Sequence, residues 1–400
     1  MPLRFLTAGE SHGPSLTTIL DGMPAGLSIT PEIINKELAR RQQGYGSGGR
    51  MKIEKDTVQI LGGVMGGETT GAPIALLVQN DDHVKWKGKA IEQMTAPRPG
   101  HADLTGAVKY GYKDLRPALE RASARETTMR VAAGAVCKHF LAQFGIIIGG
   151  YVSSIGEVQA DFGNMTFEER FICAEESDVR CPIESSASKM RDEIEKTIHG
   201  KNTLGGVLEI VALNLPVGLG SFVQWDRRLE AKLALAIMSV QAIKGVEVGD
   251  AFENARRIGT EAHDPMTLQH SNVQRSTNRA GGTEGGVSNG QPIIIRAAMK
   301  PIATTLVPQQ TVDLGASMVW RVTPMESAKK LITIIADALA ISQRLNQAQA
   351  PNSPFLRAIA ETTNPINNSR SRIKTRWVFG CRISLSAFKT FLVPVCSEKK

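Results

Sequence analysis

The stretch LERASARETTMRVAAGAVCKHFLAQFG, residues 119–145, carries a clear helical pattern. Its apolar side chains recur at helical spacing, and Gly145 is a residue type that commonly ends a helix. The pattern predicts one helix over about residues 119–144, with Met129, Ala132, Val136 and Phe140 buried. Its first turns are polar and contain Arg121, Ser123, Arg125 and Glu126.

On either side of this segment, strands and further helices are mixed. Thr30 and Pro31 predict a helix that ends near Arg40 and Arg41. Another helix is predicted from Asp226 to Gly245, with the apolar stripe Leu229, Leu233, Ala236, Val240 and Ile243. The apolar runs at residues 206–213 and 292–299 predict strands. Because strands and helices do not alternate regularly, the pattern favours an α+β fold over a doubly wound sheet.

Composition excludes several classes of protein. The chain has 400 residues, 42% of them apolar, which suffices for a sizeable core. Its five cysteines are scattered without a C-x-x-C pair, which argues against a disulfide framework and a zinc site. No apolar stretch is long enough for a membrane span, and the first residues lack a signal-peptide pattern. We therefore expect a globular cytoplasmic protein without a metal.

The positive charge of the chain is concentrated at its C-terminal end. From Ser369 onward eight basic residues stand against one acid, Glu398, and account for +7 of the net charge of +8. A basic tail without a nucleic-acid-binding fold is usually a solvated terminus, so we do not expect nucleic-acid binding. Three phenylalanines among these charges keep that alternative open: Phe379, Phe388 and Phe391.

Two histidines occur in short glycine-flanked motifs, GESHG at residues 9–13 and RPGHAD at residues 98–103. His12 and His101 suit proton transfer at an anionic substrate, because the imidazole titrates near neutral pH. Taken alone, each motif is more often a turn with a hydrogen-bonded histidine than a catalytic site.

Two glycine-rich segments are candidates for contacts with a ligand. GYGSGG at residues 44–49 matches a dinucleotide-binding pattern but follows a helix and precedes a predicted strand at residues 50–54, so we reject that fingerprint. Lying between Arg41 and Arg50, it suits an anion-binding lid, or equally a flexible surface turn. GGTEGGVSNG at residues 281–290 suits close approach to a flat ligand or, alternatively, hairpin turns.

Taken together, the motifs closely resemble the chorismate synthase family. The resemblance covers residues 1 to about 313 and rests on GESHG, RRQQGYGSGGRMKIE, TTGAPIALLVQNDDH, RPGHADLTGAVKYGYKDLR, LERASARETTMRVAAGAV, GGVLEIVALNLPVGLGS, QAIKGVEVG, GGTEGGVSNGQPI and KPIATT. It implies a layered β-α-β sandwich, a homotetramer, and a lyase that converts 5-enolpyruvylshikimate-3-phosphate to chorismate by anti-1,4-elimination of phosphate and a ring hydrogen. The family requires reduced FMN although the reaction has no net redox change.

The resemblance also implies roles for individual residues. His12 would donate a proton at the leaving phosphate, and His101 would hold a proton near the flavin. The positions that line the substrate would be Arg41, Arg50, Arg98 and Arg125. A salt bridge with an acid on its own helix is the alternative role for Arg125, and contact with the end of its helix is the alternative for Arg41.

The flavin positions of the family fall on several segments of the chain. They correspond to Arg121, Ala122, Ser123, Gln241, Ala242, Gly285, Lys300, Pro301, Ile302, Ala303 and Thr304. Lysine and main-chain amides would hold the FMN phosphate, and glycine would leave room for the ring. Positions assigned to NADPH, a possible reductant, correspond to Arg41 and Ser47.

The chain departs from the family at three places. Ser47 and Ala122 replace an arginine and a serine that relatives often carry, and the Arg-Ser-Asp type motif of the family does not follow Leu314. Residues 323–326 instead predict a capped helix with Leu331, Ile335, Ala338 and Leu339 on its inner face. We therefore expect a core at residues 1–313, a divergent helical segment at 314–350 and a polar, then basic tail at 351–400. A homologue that binds FMN but turns over poorly and a binding protein that uses the basic tail remain the alternatives.

Overall fold

A computed structural model of the chain describes residues 3–45, 55–270, 272–315 and 318–322. Several predictions fall outside these ranges: the strand at residues 50–54, the candidates Ser47 and Arg50, the capped helix after residue 322, and the tail from residue 351. Within the described part of the chain, none of the helices combines the length and the apolar character that a membrane crossing requires.

Strands and helices are distributed over most of the described chain. The strands are β1 Arg4–Ala8, β2 Ser15–Asp21, β3 Val58–Gly62, β4 Val64–Met65, β5 Glu68–Thr69, β6 Ile74–Gln79, β7 Ile147–Ile155, β8 Val158–Gln159, β9 Gly206–Leu213, β10 Ile243–Val248, β11 Met266–Gln269, β12 Asn272–Arg275, β13 Thr283–Glu284, β14 Val287–Ser288, β15 Ile293–Met299, β16 Gln309–Asp313 and β17 Met318–Val322. The α-helices are α1 Pro31–Gln42, α2 Asp103–Tyr110, α3 Arg116–Ala122, α4 Thr127–Ala142, α5 Phe167–Glu176, α6 Glu184–His199, α7 Leu229–Met238, α8 Ala251–Asn254 and α9 Gly259–Ala262. Short 3-10 helices occur at Asp81–Lys85, Ala124–Glu126 and Trp225–Arg227.

The first sheet is antiparallel and has the strand order β1-β2-β6-β3. Side chains alternate along its strands, so that one face is buried and carries Leu16, Leu20, Ile74, Leu76 and Val78. Helix α4 packs against β1, β2 and β6, and α1 packs against α4 and β3. These two helices therefore cover one side of the first sheet.

The second sheet is also antiparallel, with the order β10-β15-β9-β7-β8. Tyr151 of β7 is buried with Ala174 of α5, whereas the next residue, Val152, is buried with Ala187 and Met190 of α6. Because successive strand residues point to opposite faces, α5 and α6 cover opposite faces of this sheet. Helix α4 also contacts β7, and it thus touches both sheets. The architecture is the layered α+β type with antiparallel sheets that the sequence predicted.

The prediction of one helix over residues 119–144 is wrong in its continuity. The segment contains α3, a 3-10 turn and α4, and the break falls at Ser123, whose backbone is extended at φ −63° and ψ 143°. The Ser123 side chain accepts a hydrogen bond from the main-chain N–H of Arg125, so serine caps a new turn rather than continuing the old one. Met129, Ala132 and Val136 are buried as predicted, whereas Phe140 is only half-buried.

The helix predicted after Asp226 begins as expected but ends early. Leu229 and Leu233 are buried in α7, which ends at Met238, and Ile243 begins strand β10. Ala242, just before β10, has a positive φ of 68°, so a helix could not continue through it to Gly245. The strands predicted at residues 206–213 and 292–299 are confirmed as β9 and β15, and the helix start at Thr30 and Pro31 is confirmed as α1.

Candidate active site

His12 lies in the turn between β1 and β2 and is held by a carboxylate of α3. Its main-chain N–H donates to Glu120 Oε2 at 2.8 Å, and its ring Nδ1 lies 2.8 Å from Glu120 Oε1. A carboxylate only accepts hydrogen bonds, so we assign the ring proton to Nδ1. Burial alone raises the pKa of Glu120, but the hydrogen bonds from the His12 ring and main chain outweigh burial and lower it.

Two further aromatic residues fix the surroundings of His12. The indole of Trp86 lies against its ring, with centroids 5.0 Å apart and an interplanar angle of 59°. The ring Nδ1 of His83 lies 2.9 Å from the main-chain oxygen of His12. Both residues come from the segment that follows β6, and Asn80 of that segment donates to the main-chain oxygens of Glu10 and Gly13. The loop that carries His12 is thus held on both sides.

His101 has a similar carboxylate partner at the start of α2. Its ring Nδ1 lies 2.6 Å from Oδ1 of Asp103, whose side chain is fully buried. Arg98 donates to both oxygens of Asp103, at 2.8 and 2.9 Å, and its main-chain N–H adds a third hydrogen bond at 3.0 Å. Burial alone raises the pKa of Asp103, but these hydrogen bonds outweigh it and hold the pKa well below its usual range.

Arg98 also touches the ring of His101. Its Nη2 lies 3.0 Å from Nδ1 and 3.4 Å from Nε2. Since Nδ1 faces a carboxylate that can only accept, the proton of the neutral ring belongs on Nδ1, and Arg98 lies beside the ring as a fixed positive charge. Arg98, predicted as a substrate ligand, is therefore placed next to the histidine that was predicted to hold a proton.

The segment at residues 300–304 reaches the His101 loop. Lys300 Nζ donates a hydrogen bond to the main-chain oxygen of Gly100, and the Lys300 main chain donates to Ala242 at 3.0 Å. Gly100 has a positive φ of 77°, a conformation that suits glycine. A Cβ added at Gly100 would lie 3.7 Å from the Cβ of Ala303. The structure thus brings together three segments that were predicted separately.

A second group of predicted flavin residues gathers around Glu126. Gln241 Nε2 donates to this carboxylate at 2.8 Å, and the Thr7 hydroxyl donates at 2.6 Å. Arg121 donates to the main-chain oxygen of Thr7 at 2.9 Å and leaves 46% of its side chain exposed. The Ser123 hydroxyl donates to Ser11 at 3.1 Å, one residue before His12. Predicted flavin residues and the His12 loop therefore share one surface.

Arg41 and Arg125 are buried below this surface. Both donate to Asp56, Arg41 Nη1 at 3.0 Å and Arg125 Nη1 at 2.5 Å, and all three side chains are at most 1% exposed. Arg125 Nε also donates to Asn80 at 2.9 Å. Direct contact of these two arginines with a substrate stays a prediction. Through Asp56 and Asn80, both arginines are connected to the segment that holds the His12 loop.

Gly285 lies in the hairpin that joins β13 and β14. It has a positive φ of 59°, and an added Cβ would meet open space. Arg275 donates to both oxygens of the adjacent Glu284, at 2.6 and 2.9 Å. The hairpin-turn interpretation of this glycine cluster is confirmed, and contact of Gly285 with a flavin stays a prediction.

A cleft of about 950 Å³, open to solvent, lies between α6 and the second sheet. Its lining is mainly apolar and includes Ile155, Ile194, Leu204 and Met299, and Arg41 is the predicted site residue that reaches it. The lining contains neither His12 nor His101. The two histidine–carboxylate pairs therefore lie outside the lining of this cleft.

The sequence did not single out several residues of the site. Asp103 stands two positions after His101 inside a quoted motif, and that spacing was a usable signal. Glu120 lies 108 residues from His12, and Asp56 lies 69 residues from Arg125. No local pattern connects partners so far apart, so only the fold could identify them.

Comparison with known proteins places this geometry in a family. The family model for chorismate synthase matches residues 3–339, further than the motifs that end near residue 313. A chorismate synthase of Sulfurihydrogenibium sp. is 56% identical over 316 residues, which cover 76% of this chain and 81% of the relative. The chorismate synthase of Geobacter sulfurreducens is 46% identical over 364 residues, covering 86% of this chain and 93% of the relative. A crystal structure of chorismate synthase superposes with a TM-score of 0.73 at 41% identity, covering 91% of this chain and 96% of the other.

Proposed function

The chain belongs to the chorismate synthase family, whose members are lyases, and from this premise we propose how its residues carry out the reaction. The proposed reaction is the anti-1,4-elimination of phosphate and a ring hydrogen from 5-enolpyruvylshikimate-3-phosphate, which gives chorismate with the help of reduced FMN. The observation that carries the proposal is the pair of histidines, each with its Nδ1 held by a carboxylate of low exposure.

His12 is the proton donor at the leaving phosphate. Departure of phosphate develops negative charge on its oxygens, and a nearby proton and fixed cations stabilise that charge in the transition state. Glu120 orients the His12 ring through Nδ1, so that Nε2 points away from the Glu120 carboxylate. Arg98 lies beside His101 and would supply a fixed positive charge at that ring.

The residues around Glu126 and Lys300 fit a bound flavin mononucleotide. Gln241 Oε1 is buried and has no hydrogen-bond partner among the described residues, so this acceptor suits an N–H of a flavin ring. Lys300 would hold the phosphate of FMN, together with the main chain of residues 301–304, and Arg121, Ala122, Ser123 and Ala242 would line the ring. When bound in its reduced form, the flavin supplies electron density to the substrate as phosphate departs.

The source of the reduced flavin is a separate matter. NADPH was predicted to contact Arg41 and Ser47, and Arg41 is buried against Asp56. We therefore propose reduced FMN as the cofactor and leave NADPH as a prediction that rests on the family resemblance. Gly285 likewise stays a predicted flavin contact.

A homotetramer in the cytoplasm completes the proposal. The outward face of the first sheet supports contact between subunits, because Leu6 and Ile19 are cross-strand partners there with 58% and 41% of their surfaces exposed. Adjacent exposed apolar side chains of this kind are typical of surfaces that another protein covers.

The test is anaerobic turnover of 5-enolpyruvylshikimate-3-phosphate with chemically reduced FMN. Inorganic phosphate and chorismate would be measured for the full chain and for a version that carries a family-like C-terminus after Leu314. Equal release of both products by the full chain supports the proposal. Binding of FMN and substrate by both versions without product would contradict it and favour the homologue that binds the flavin but does not turn over.

A further inference from the structure

Helices α2 and α3 connect the two histidine sites. Asp103, at the first position of α2, contacts the ring of His101, and Glu120 in the last turn of α3 contacts the ring of His12. The two helices pack against each other and are joined by a short turn at residues 111–115. The carboxylates that orient both rings are therefore carried by one pair of helices.

The two helices approach each other closely where Gly106 of α2 faces Ala118 of α3. A Cβ added to Gly106 of α2 would lie 2.8 Å from the Cβ of Ala118 in α3, closer than two methyl groups can approach. Ala118 is 8% exposed, and Leu115, just before α3, is fully buried. The contact between Gly106 and Ala118 therefore sets the distance between the two helix axes.

The segment that precedes His101 is hydrogen-bonded to residues at the start of α3. Asp114 accepts hydrogen bonds from the main-chain N–H groups of Met94 and Arg116, at 3.0 and 2.9 Å. Arg116 donates to the main-chain oxygen of Glu92 at 2.8 Å. Residues 92–94 are therefore held at the start of α3 a few positions before Arg98 and His101.

We propose that α2 and α3 form one rigid frame that fixes the position of His12 relative to His101, with Glu120 and Asp103 as its contacts to the rings. Gly106 and Ala118 are positioning residues, because they act through the spacing of the helices and do not touch the substrate. The inference rests on the proposed function, since a fixed separation matters when both rings serve one substrate. Misplacement of reacting groups by even 1 Å can slow an enzyme about 100-fold.

The first test is a double-mutant cycle at the helix contact. Gly106→Ala should lower kcat by about 10- to 100-fold with a much smaller change in KM, because the rings move while the groups that bind substrate remain. Ala118→Gly in the same chain removes the opposing methyl group and should restore most of kcat. Ala118→Gly alone completes the cycle and measures the effect of removing the methyl group when residue 106 is still glycine. Gly259→Ala is the matched control, because an added Cβ there meets nothing within 4 Å.

Two results of this cycle would overturn the proposal. One is a folded Gly106→Ala variant with unchanged kcat, whether or not its unfolding midpoint falls. The other is a double variant whose kcat stays as low as that of Gly106→Ala while its unfolding midpoint has recovered. A merely structural role predicts loss and recovery of stability with no separate effect on kcat of the folded enzyme.

The second test does not depend on turnover. Nitrogen-15 spectra of the full chain with labelled histidine report which ring nitrogen carries the proton at alkaline pH, and His12→Gln and His101→Gln assign the two signals. Both rings should carry the proton on Nδ1, and Glu120→Gln should change the His12 signal alone. Protons on Nε2 in the wild-type protein would overturn the frame even in an active enzyme. The predicted spectra in a chain that forms no chorismate would instead refute the proposed function and leave the frame standing.

Discussion

Asp56 illustrates how individual residues balance charge below the site. It accepts hydrogen bonds from Arg41 and Arg125, and the three side chains are almost completely buried. Removing one partner from a buried ion pair leaves charges without compensation in a region that water does not reach. The charge of Asp56 is therefore needed for the local fold as well as for the electrostatic balance of the site.

We expect Asp56→Asn to lower the free energy of unfolding by about 3–5 kcal/mol, because it removes a buried negative charge that two buried guanidinium groups contact. Denaturant unfolding would measure the loss. Glu253→Gln is the control, since Glu253 and Arg256 form an exposed pair that should contribute less than about 1 kcal/mol. A loss for Asp56→Asn no greater than for the control would contradict this account.

The two histidines make a second prediction at this scale. His12→Ala and His101→Ala should each slow turnover by roughly 10² to 10⁴ while leaving the fold intact, as expected for general acids. Single-turnover rates with reduced FMN would measure the effect, and circular dichroism would check the fold. His199→Ala, an exposed histidine at the end of α6, should change the rate little. Unchanged turnover in both site variants would exclude the assigned roles.

At the level of residues, the sequence singled out the histidines and Arg98 that the structure pairs with carboxylates, but not most of their partners. His12, His101 and Arg98 were identified from short motifs, and the structure places each of them beside a carboxylate. For Arg125 the considered alternative was an acid on its own helix, whereas its partner is Asp56 at a distance of 69 residues in sequence. An ion pair between distant segments produces no periodic pattern in the sequence, so the partner of Arg125 could not be predicted from it.

At the level of elements, the break between α3 and α4 has a consequence for the site. The extended backbone of Ser123 changes the chain direction between Glu120, which contacts His12, and Arg125, which points to Asp56. A continuous helix would hold all these side chains in one fixed angular relation. The periodicity of the apolar residues predicted the helical segments correctly but carried no information about this turn, because the turn depends on the capping hydroxyl of Ser123.

Helix capping provides a prediction at the same scale. Thr166 and Glu169 at the start of α5 form a reciprocal capping box, so Thr166→Ala should lower the free energy of unfolding by about 1 kcal/mol. Thr30 occupies the same position before α1 but makes no capping hydrogen bond with its side chain. Thr30→Ala is therefore the matched control, and thermal or denaturant unfolding of both variants would be compared. Equal losses for the two variants would speak against the capping role of Thr166.

At the scale of the whole molecule, an ion pair between Glu175 and Arg40 joins a helix of the second sheet to a helix of the first. Glu175 at the end of α5 accepts hydrogen bonds from Arg40 of α1, at 2.6 and 2.9 Å, and from Arg180, at 2.6 Å to each oxygen. Helix α1 packs against the first sheet and α5 against the second. Layer order was predictable from the family resemblance, whereas this connection between layers was not, since it depends on the positions that the two helices reach after folding.

The connection should make stability depend on acid. Burial alone raises the pKa of Glu175, but the hydrogen bonds from Arg180 and Arg40 outweigh it and lower the pKa from 4.5 to about 2. Above pH 4.5 the carboxylate is ionised in both folded and unfolded chains, and its full contribution to stability is present. As the pH falls from 4.5 toward 2, the unfolded chain takes up the proton first, so this contribution is progressively lost.

Urea unfolding of the wild-type protein and Glu175→Gln across this range would measure the effect. The free-energy difference between the two proteins should be largest above pH 4.5 and should shrink toward pH 2, since the wild-type carboxyl becomes neutral there as well. Other carboxylates with lowered pKa values, including Glu120 and Asp103, titrate in both proteins and cancel in the difference. Because the Glu175 side chain is 43% exposed, high salt should reduce the difference at every pH.

Glu176→Gln, one position further on the same helix, is the control for a change of charge alone. A difference between wild type and Glu175→Gln that stays constant with pH would show that the carboxylate does not hold the two layers through its charge.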